Sequence, residues 1–148
     1  PKSACRTDWV AGASMIVRRD VFDHIGLLDE QYFMYYEEVD FCRRAAKVGA
    51  SCWYVPQSRV VHLVGRASGI TDVTKPLNRW PKYWFESRSR YFRTHHGRAM
   101  KLLIDLVWIT GRCIYKIVNV VRRKPNNDPP KLLSDFVMNN FLPGSSRT

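Results

Sequence analysis

With 148 residues, 45% of them hydrophobic and 13% aromatic, the chain has enough apolar surface for one ordinary core, which excludes a disordered tail or a fibrous repeat. The formal charge of +11 is uneven: residues 1–75 carry ten Lys/Arg against nine Asp/Glu, and residues 76–148 carry fourteen against four. A near-neutral first half is thus joined to a cationic second half suited to an anionic partner, whether lipid headgroups, nucleic acid or phosphorylated ligands.

The polar opening from Pro1 to Asp8 carries no signal-peptide pattern and no obvious element start, so the chain reads as beginning inside something larger. Trp9 to Val17 predicts a strand with small residues at its middle, where Gly12 and Ala13 would admit a ligand or, equally well, a neighbouring backbone. Asp20 to Gly26 predicts a short helix with Val21, Phe22 and Ile25 as its apolar side. A turn and an aromatic approach then lead to Tyr35-Tyr36-Glu37-Glu38-Val39-Asp40-Phe41-Cys42-Arg43-Arg44. Val39, Cys42 and Ala46, with Phe41, Ala45 and Val48 beside them, have helical spacing, and Gly49 supplies the stop. Glu37, Glu38 and Asp40 therefore fall in or just before the first turn. Acids there are favoured by the helix dipole as simple end-capping. Three clustered carboxylates also suit a site where a proton, a cation or a substrate offsets their repulsion.

Ser51 to Val55 predicts a strand ended by Pro56, and Arg59 to Val64 a second one before the loosening Gly65, Ser68 and Gly69. Three strands make a poor sheet, so the order fits part of an α/β domain. His62 at the end of the last strand reads either as a satisfied structural residue or as a ligand-handling group, since imidazole can complete an oxygen-rich divalent-metal site. Cys5, Cys42, Cys52 and Cys113 have no paired spacing, which signals neither zinc nor a redox motif and suggests a reducing compartment.

Beyond Pro76, Trp80, Tyr83, Trp84, Phe85, Tyr91 and Phe92 alternate with basic residues, as in a stacking surface, a bilayer-interface belt or a plain amphipathic helix. From Arg98 to Arg123, helical projection gathers Arg98, Lys101, Asp105, Arg112, Lys116, Asn119 and Arg123 into a wedge of about 60°, with nearly everything else apolar. Asp105, Arg112 and Lys116 would each cost roughly 2.5–3.5 kcal/mol at mid-bilayer, so the expectation is a helix lying in a membrane interface with its cations outward. Self-association through 98–123 competes with that. A linker over Pro125 to Pro130 and a short amphipathic helix through Leu132, Leu133, Phe136 and Val137 finish the chain.

Taken in order, Trp9-Val10-Ala11-Gly12-Ala13, Gly26-Leu27-Leu28-Asp29-Glu30-Gln31-Tyr32-Phe33, Glu37-Glu38-Val39-Asp40-Phe41-Cys42-Arg43-Arg44 with Gly49, Val55-Pro56 and His62 resemble family-two glycosyltransferases of GT-A fold. The bacterial rhamnosyltransferase-like branch that builds surface polysaccharides is the nearest in look, including Arg88-Ser89-Arg90-Tyr91-Phe92-Arg93 with His95-His96-Gly97. The resemblance covers about residues 8–97. It implies an α/β fold, a partial GT-A-type (Rossmann-like) domain with a basic helical extension. Residues 1–75 would be the acceptor-side half of the catalytic domain, 76–97 an aromatic and basic connection, 98–124 a membrane-associated helix, and 125–148 linker and terminal helix.

It further implies transfer of a sugar, rhamnose being the one the likeness suggests, from a nucleotide-sugar donor to a glycan or lipid-linked acceptor with inversion. Glu38 would be the general base, Glu37 and Asp40 would position it, and Trp9, Gly12, Ala13 and Tyr36 would meet the acceptor. His62 would help hold Mn²⁺ or Mg²⁺. The family's Asp-x-Asp and nucleotide-binding half have no counterpart in these residues, so the chain is expected to be inactive alone. The expected location is cytoplasmic, peripheral at the inner face of the plasma membrane, against an anionic surface. The rival expectation is a basic aromatic binding module for anionic lipid or nucleic acid without catalysis; with no recognised nucleic-acid motif, nucleic acid is the less expected partner.

Overall fold

The computed structural model describes residues 1–61, 78–126 and 128–142. His62 and the end of the expected 59–64 strand lie outside the described residues, and 59–61 form no strand. The chain is mixed α/β, mostly helical with one small sheet, and divides into two compact units, Pro1–Leu63 and Val64–Thr148.

In the first unit, β1 (Cys5–Thr7) pairs antiparallel with β2 (Cys52–Tyr54), Cys5 lying opposite Tyr54 and Thr7 opposite Cys52. Between them come a 3₁₀ turn (Gly12–Ser14), α1 (Arg19–Ile25) and α2 (Glu37–Lys47). The run from Trp9 to Val17 is not the strand its composition predicts. Met15 has extended dihedrals, yet no ladder partner lies beside it among the described residues, and Ile16 is 99% exposed. A strand exists only where a neighbour takes its backbone hydrogen bonds, so β-prone composition alone did not suffice.

The two helices have the termini the sequence announces. Gly26 ends α1 at φ +76. Gly49 ends α2 at φ +84, with its N–H donating to Ala46 O and the Ala50 N–H donating back to Ala45 O, the paired bonds of a Schellman stop. The helices meet through Phe22 and Phe41, whose ring centroids are 5.2 Å apart. Arg44 latches them: its guanidinium donates to Asp40 at 2.7 Å and to the carbonyls of Ile25 and Leu27 at 2.8 and 2.9 Å. Carbonyls left without partners at the end of α1 are thereby satisfied by a side chain of α2.

The second unit consists of α3 (Lys82–Val121) and α4 (Leu132–Phe141). α3 is broken at Gly97, whose dihedrals of φ 80 and ψ 170 are not helical. Helical rise would separate residues 88 and 105 of a straight rod by about 25 Å. Instead Arg88 Nη1 lies 2.5 Å from Asp105 Oδ1, so the arms 82–96 and 98–121 fold back on each other as a hairpin. The core is Phe85, Leu132 and Phe136, flanked by Trp80, Trp84, Trp108 and Ile109. Trp108 stacks on Phe136 at 3.9 Å between centroids, and Phe85 meets the same ring edge-on at 6.2 Å.

The middle of the polar stripe, from Lys101 to Asn119, does not turn to water as expected, although Arg98 and Arg123 at its ends are exposed. Asp105 is 0% exposed, ion-paired with Arg88 and with Lys101, and Asn119 is buried. Arg112 Nη1 donates to Asp128 at 2.6 Å. The outward side is apolar instead. One acid inside the wedge reverses the expectation, because a lone buried carboxylate needs its cations inward with it.

Candidate functional site

The acids begin at a strained corner. Tyr35 and Tyr36 both adopt the left-handed region, with φ of 71 and 69, immediately before Glu37. Bulky side chains rarely take this conformation, and such strain is kept where the surrounding structure uses it. Tyr36 is the N-cap residue and its side chain does not cap the helix, and the first helical hydrogen bond runs from Asp40 N–H to Tyr36 O at 2.8 Å. The corner swings Glu37 and Glu38 into the first turn.

Each carboxylate ends differently. Asp40 is buried and held by Arg44, so it joins the latch between α1 and α2. Glu37 and Glu38 each have a buried Oε2 with no hydrogen-bond partner, and no described lysine or arginine forms an ion pair with either. Burial, followed by the neighbouring Glu38 charge, pushes the Glu37 carboxyl above its ordinary value, against the pull of its own backbone N–H. Leaving a buried carboxyl oxygen unsatisfied is costly, so this turn favours a bound proton or an incoming donor.

Gly12 lies directly against the second acid. A methyl built on it would sit 3.7 Å from the Glu38 Cβ, which makes the 3₁₀ turn one wall of the acidic corner. Its neighbours Ala11 and Ala13, together with Trp9, Phe41, Cys42 and Tyr54, line an open apolar cavity of about 940 Å³ within the first unit. Glu38 is not among the lining residues. It occupies the turn before Phe41 and Cys42 on the same helix side, since i, i+3 and i+4 share a face. The structure thus brings Gly12 to Glu38 and places Trp9 and Ala13 on the adjoining cavity, while Tyr36 supplies the corner itself.

Sequence reasoning missed three features. The Arg44 latch was legible in its i, i+4 spacing from Asp40. The left-handed tyrosines had no signal, because nothing in their identity favours positive φ. The third is a thiol pair: burial first, then the nearby Cys42, pushes the Cys52 thiol up to about 11. Nine intervening residues disguise that proximity.

No group of three or more His, Cys, Asp or Glu side chains converges as a metal site among the described residues. The described acids by themselves therefore do not fit a divalent ion, and His62 falls outside them.

Neither a protein-family model nor a solved structure matches the chain significantly. Curated relatives do match in part. The chain is 41% identical over 61 residues to an N-acetylglucosaminyl-diphospho-decaprenol L-rhamnosyltransferase of Mycobacterium tuberculosis, covering 41% of this chain and 20% of that protein. It is 40% identical over 55 residues to the rhamnosyltransferase WbbL of Escherichia coli, 37% and 21% of the two chains. Over 40 residues it is 48% identical to the low-salt glycan biosynthesis hexosyltransferase Agl10 of Haloferax volcanii, 27% and 13% of the two. The chain spans about a fifth of the length of the first of these relatives. Over the matched stretch it is glycosyltransferase-like, similar to proteins that transfer rhamnosyl and hexosyl groups.

Proposed function

We propose that the first unit is the acceptor-side part of an inverting glycosyltransferase, with Glu38 as the general base. The supporting observation is the pair of buried Oε2 atoms on Glu37 and Glu38 that no group among the described residues satisfies, set behind a strained corner and walled by Gly12. In an inverting transfer a carboxylate takes the proton of the acceptor hydroxyl as that oxygen attacks the anomeric carbon from the side opposite the leaving nucleotide. An acceptor hydroxyl donating to Glu38 would satisfy the orphaned oxygen. Glu37, whose carboxyl burial pushes above its ordinary value, stands beside Glu38 and would position the same acceptor. Asp40 acts at one remove, keeping the first turn in place through Arg44. The apolar cavity beside the corner suits the carbon-rich face of a sugar or the start of a lipid carrier.

Glu38→Gln in the full-length protein that carries this segment is the test. The substitution keeps shape and removes basicity, so turnover with nucleotide-activated rhamnose should fall about 10²–10⁴-fold while donor affinity holds. Turnover within a few-fold of the parent would remove Glu38 from the role.

A further inference from the structure

The hairpin hides the polar side of its second arm and exposes the apolar one. Leu103, Leu106, Val107, Ile114 and Ile117 are 49–64% exposed, and they lie on the arc opposite the buried Asp105 and Asn119. No described helix is long and apolar enough to cross a membrane, so whatever covers this side lies along it rather than around a spanning rod.

Charge identifies the cover. All four acids among residues 76–148 are already paired within the unit: Glu86 with Lys82, Asp105 with Arg88 and Lys101, Asp128 with Arg112, and Asp135 with Arg79. Ten cations of that stretch remain in excess. Arg98 is exposed at the start of the apolar arm, and Arg122, Arg123 and Lys124 at its end. The same unit of a second copy, packed face to face, would bring the same cations and no spare acid to meet them. An anionic sheet of headgroups meets both needs, taking the apolar side chains among its acyl chains and the arginines at its phosphates.

We propose that the arm 98–121 docks lengthwise, apolar side down, on an anionic lipid surface, with the arm 82–96 and α4 on its water side. The helix is about 36 Å long, so the bracketing cations touch the surface at two well-separated places. The docking is independent of any role for Glu38. It also differs from the outward-cation orientation expected from projection, because Lys101 and Arg112, in the middle of the stripe, are spent on Asp105 and Asp128.

The test is flotation of the 148-residue chain with vesicles of phosphatidylcholine, with and without phosphatidylglycerol. The chain should float with the anionic vesicles, bind pure phosphatidylcholine at least about tenfold more weakly, and lose binding as salt rises. Leu106→Asp combined with Ile117→Asp, both at exposed positions, should abolish flotation and leave the helical circular dichroism unchanged. A polarity-sensitive dye on the exposed Cys113 should shift to the blue on anionic vesicles and stay unshifted in the double variant. Flotation of the double variant equal to the parent, or equal binding to both vesicle types, overturns the proposal. A stable dimer in light scattering that the double variant dissociates, with no flotation of the parent, overturns it in favour of self-association.

Discussion

Replacing Asp105 by Asn tests the inward-facing stripe at its centre. The carboxylate is 0% exposed, Arg88 is 4% exposed, and the Arg88 Nη1 donates to Oδ1 at 2.5 Å. Lys101 Nζ stands 2.6 Å from Oδ2 in a geometry that makes no hydrogen bond, so that contact is coulombic. Removing one partner of such a buried pair costs about 3–5 kcal/mol, chiefly by stranding the remaining charge. Two features pull the value to the low end. Arg88 keeps the faces of Phe92 and Phe136, each 4.9 Å from its guanidinium carbon, and Lys101 has a long side chain that can turn to water. The expected loss is therefore about 3 kcal/mol, read in urea denaturation by helical ellipticity and tryptophan emission. Arg88→Met with Asp105→Leu should recover most of it, since a well-packed apolar pair avoids the desolvation of both charges. A loss below about 0.5 kcal/mol for Asp105→Asn would mean that this carboxylate faces water and the hairpin is wrong.

Gly97→Ala should cost about 1–3 kcal/mol although no atom lies near the added methyl, because φ 80 with ψ 170 is a region that L residues avoid; spin labels on the two arms should then show the distance between them lengthening as the rod straightens. At pH 8 the exposed Cys113 should take up a thiol reagent many-fold faster than the half-buried Cys52, whose pKa of about 11 keeps it protonated, and equal rates would refute the pairing of Cys52 with Cys42. Alongside these stand the fall in turnover of Glu38→Gln and the loss of vesicle binding in Leu106→Asp with Ile117→Asp.

α2 was readable almost whole. Its apolar spacing, its acids at the positive end of the dipole and its glycine stop are local properties, and each appears where local physics places it. Likewise Lys101, Asp105, Arg112, Lys116 and Asn119 share one side of α3, because projection needs only the helical period, whereas Arg123 falls beyond the end of the helix. The Trp9 to Val17 run failed for the opposite reason: a strand depends on a partner elsewhere, and residue preference carries no information about whether one is present.

The sequence by itself determined which residues share a helix side, where α1 and α2 stop, and that three acids gather at one turn, since neighbours a few positions apart settle these matters. Only the tertiary structure decided which side of α3 faces inward, because Asp105 meets Arg88 only after the chain reverses at Gly97. It alone decided, too, that Asp40 is spent on Arg44 while Glu37 and Glu38 keep an unsatisfied oxygen each. Which carboxylate is neutralised depends on the cations that folding brings within reach, and composition cannot assign them.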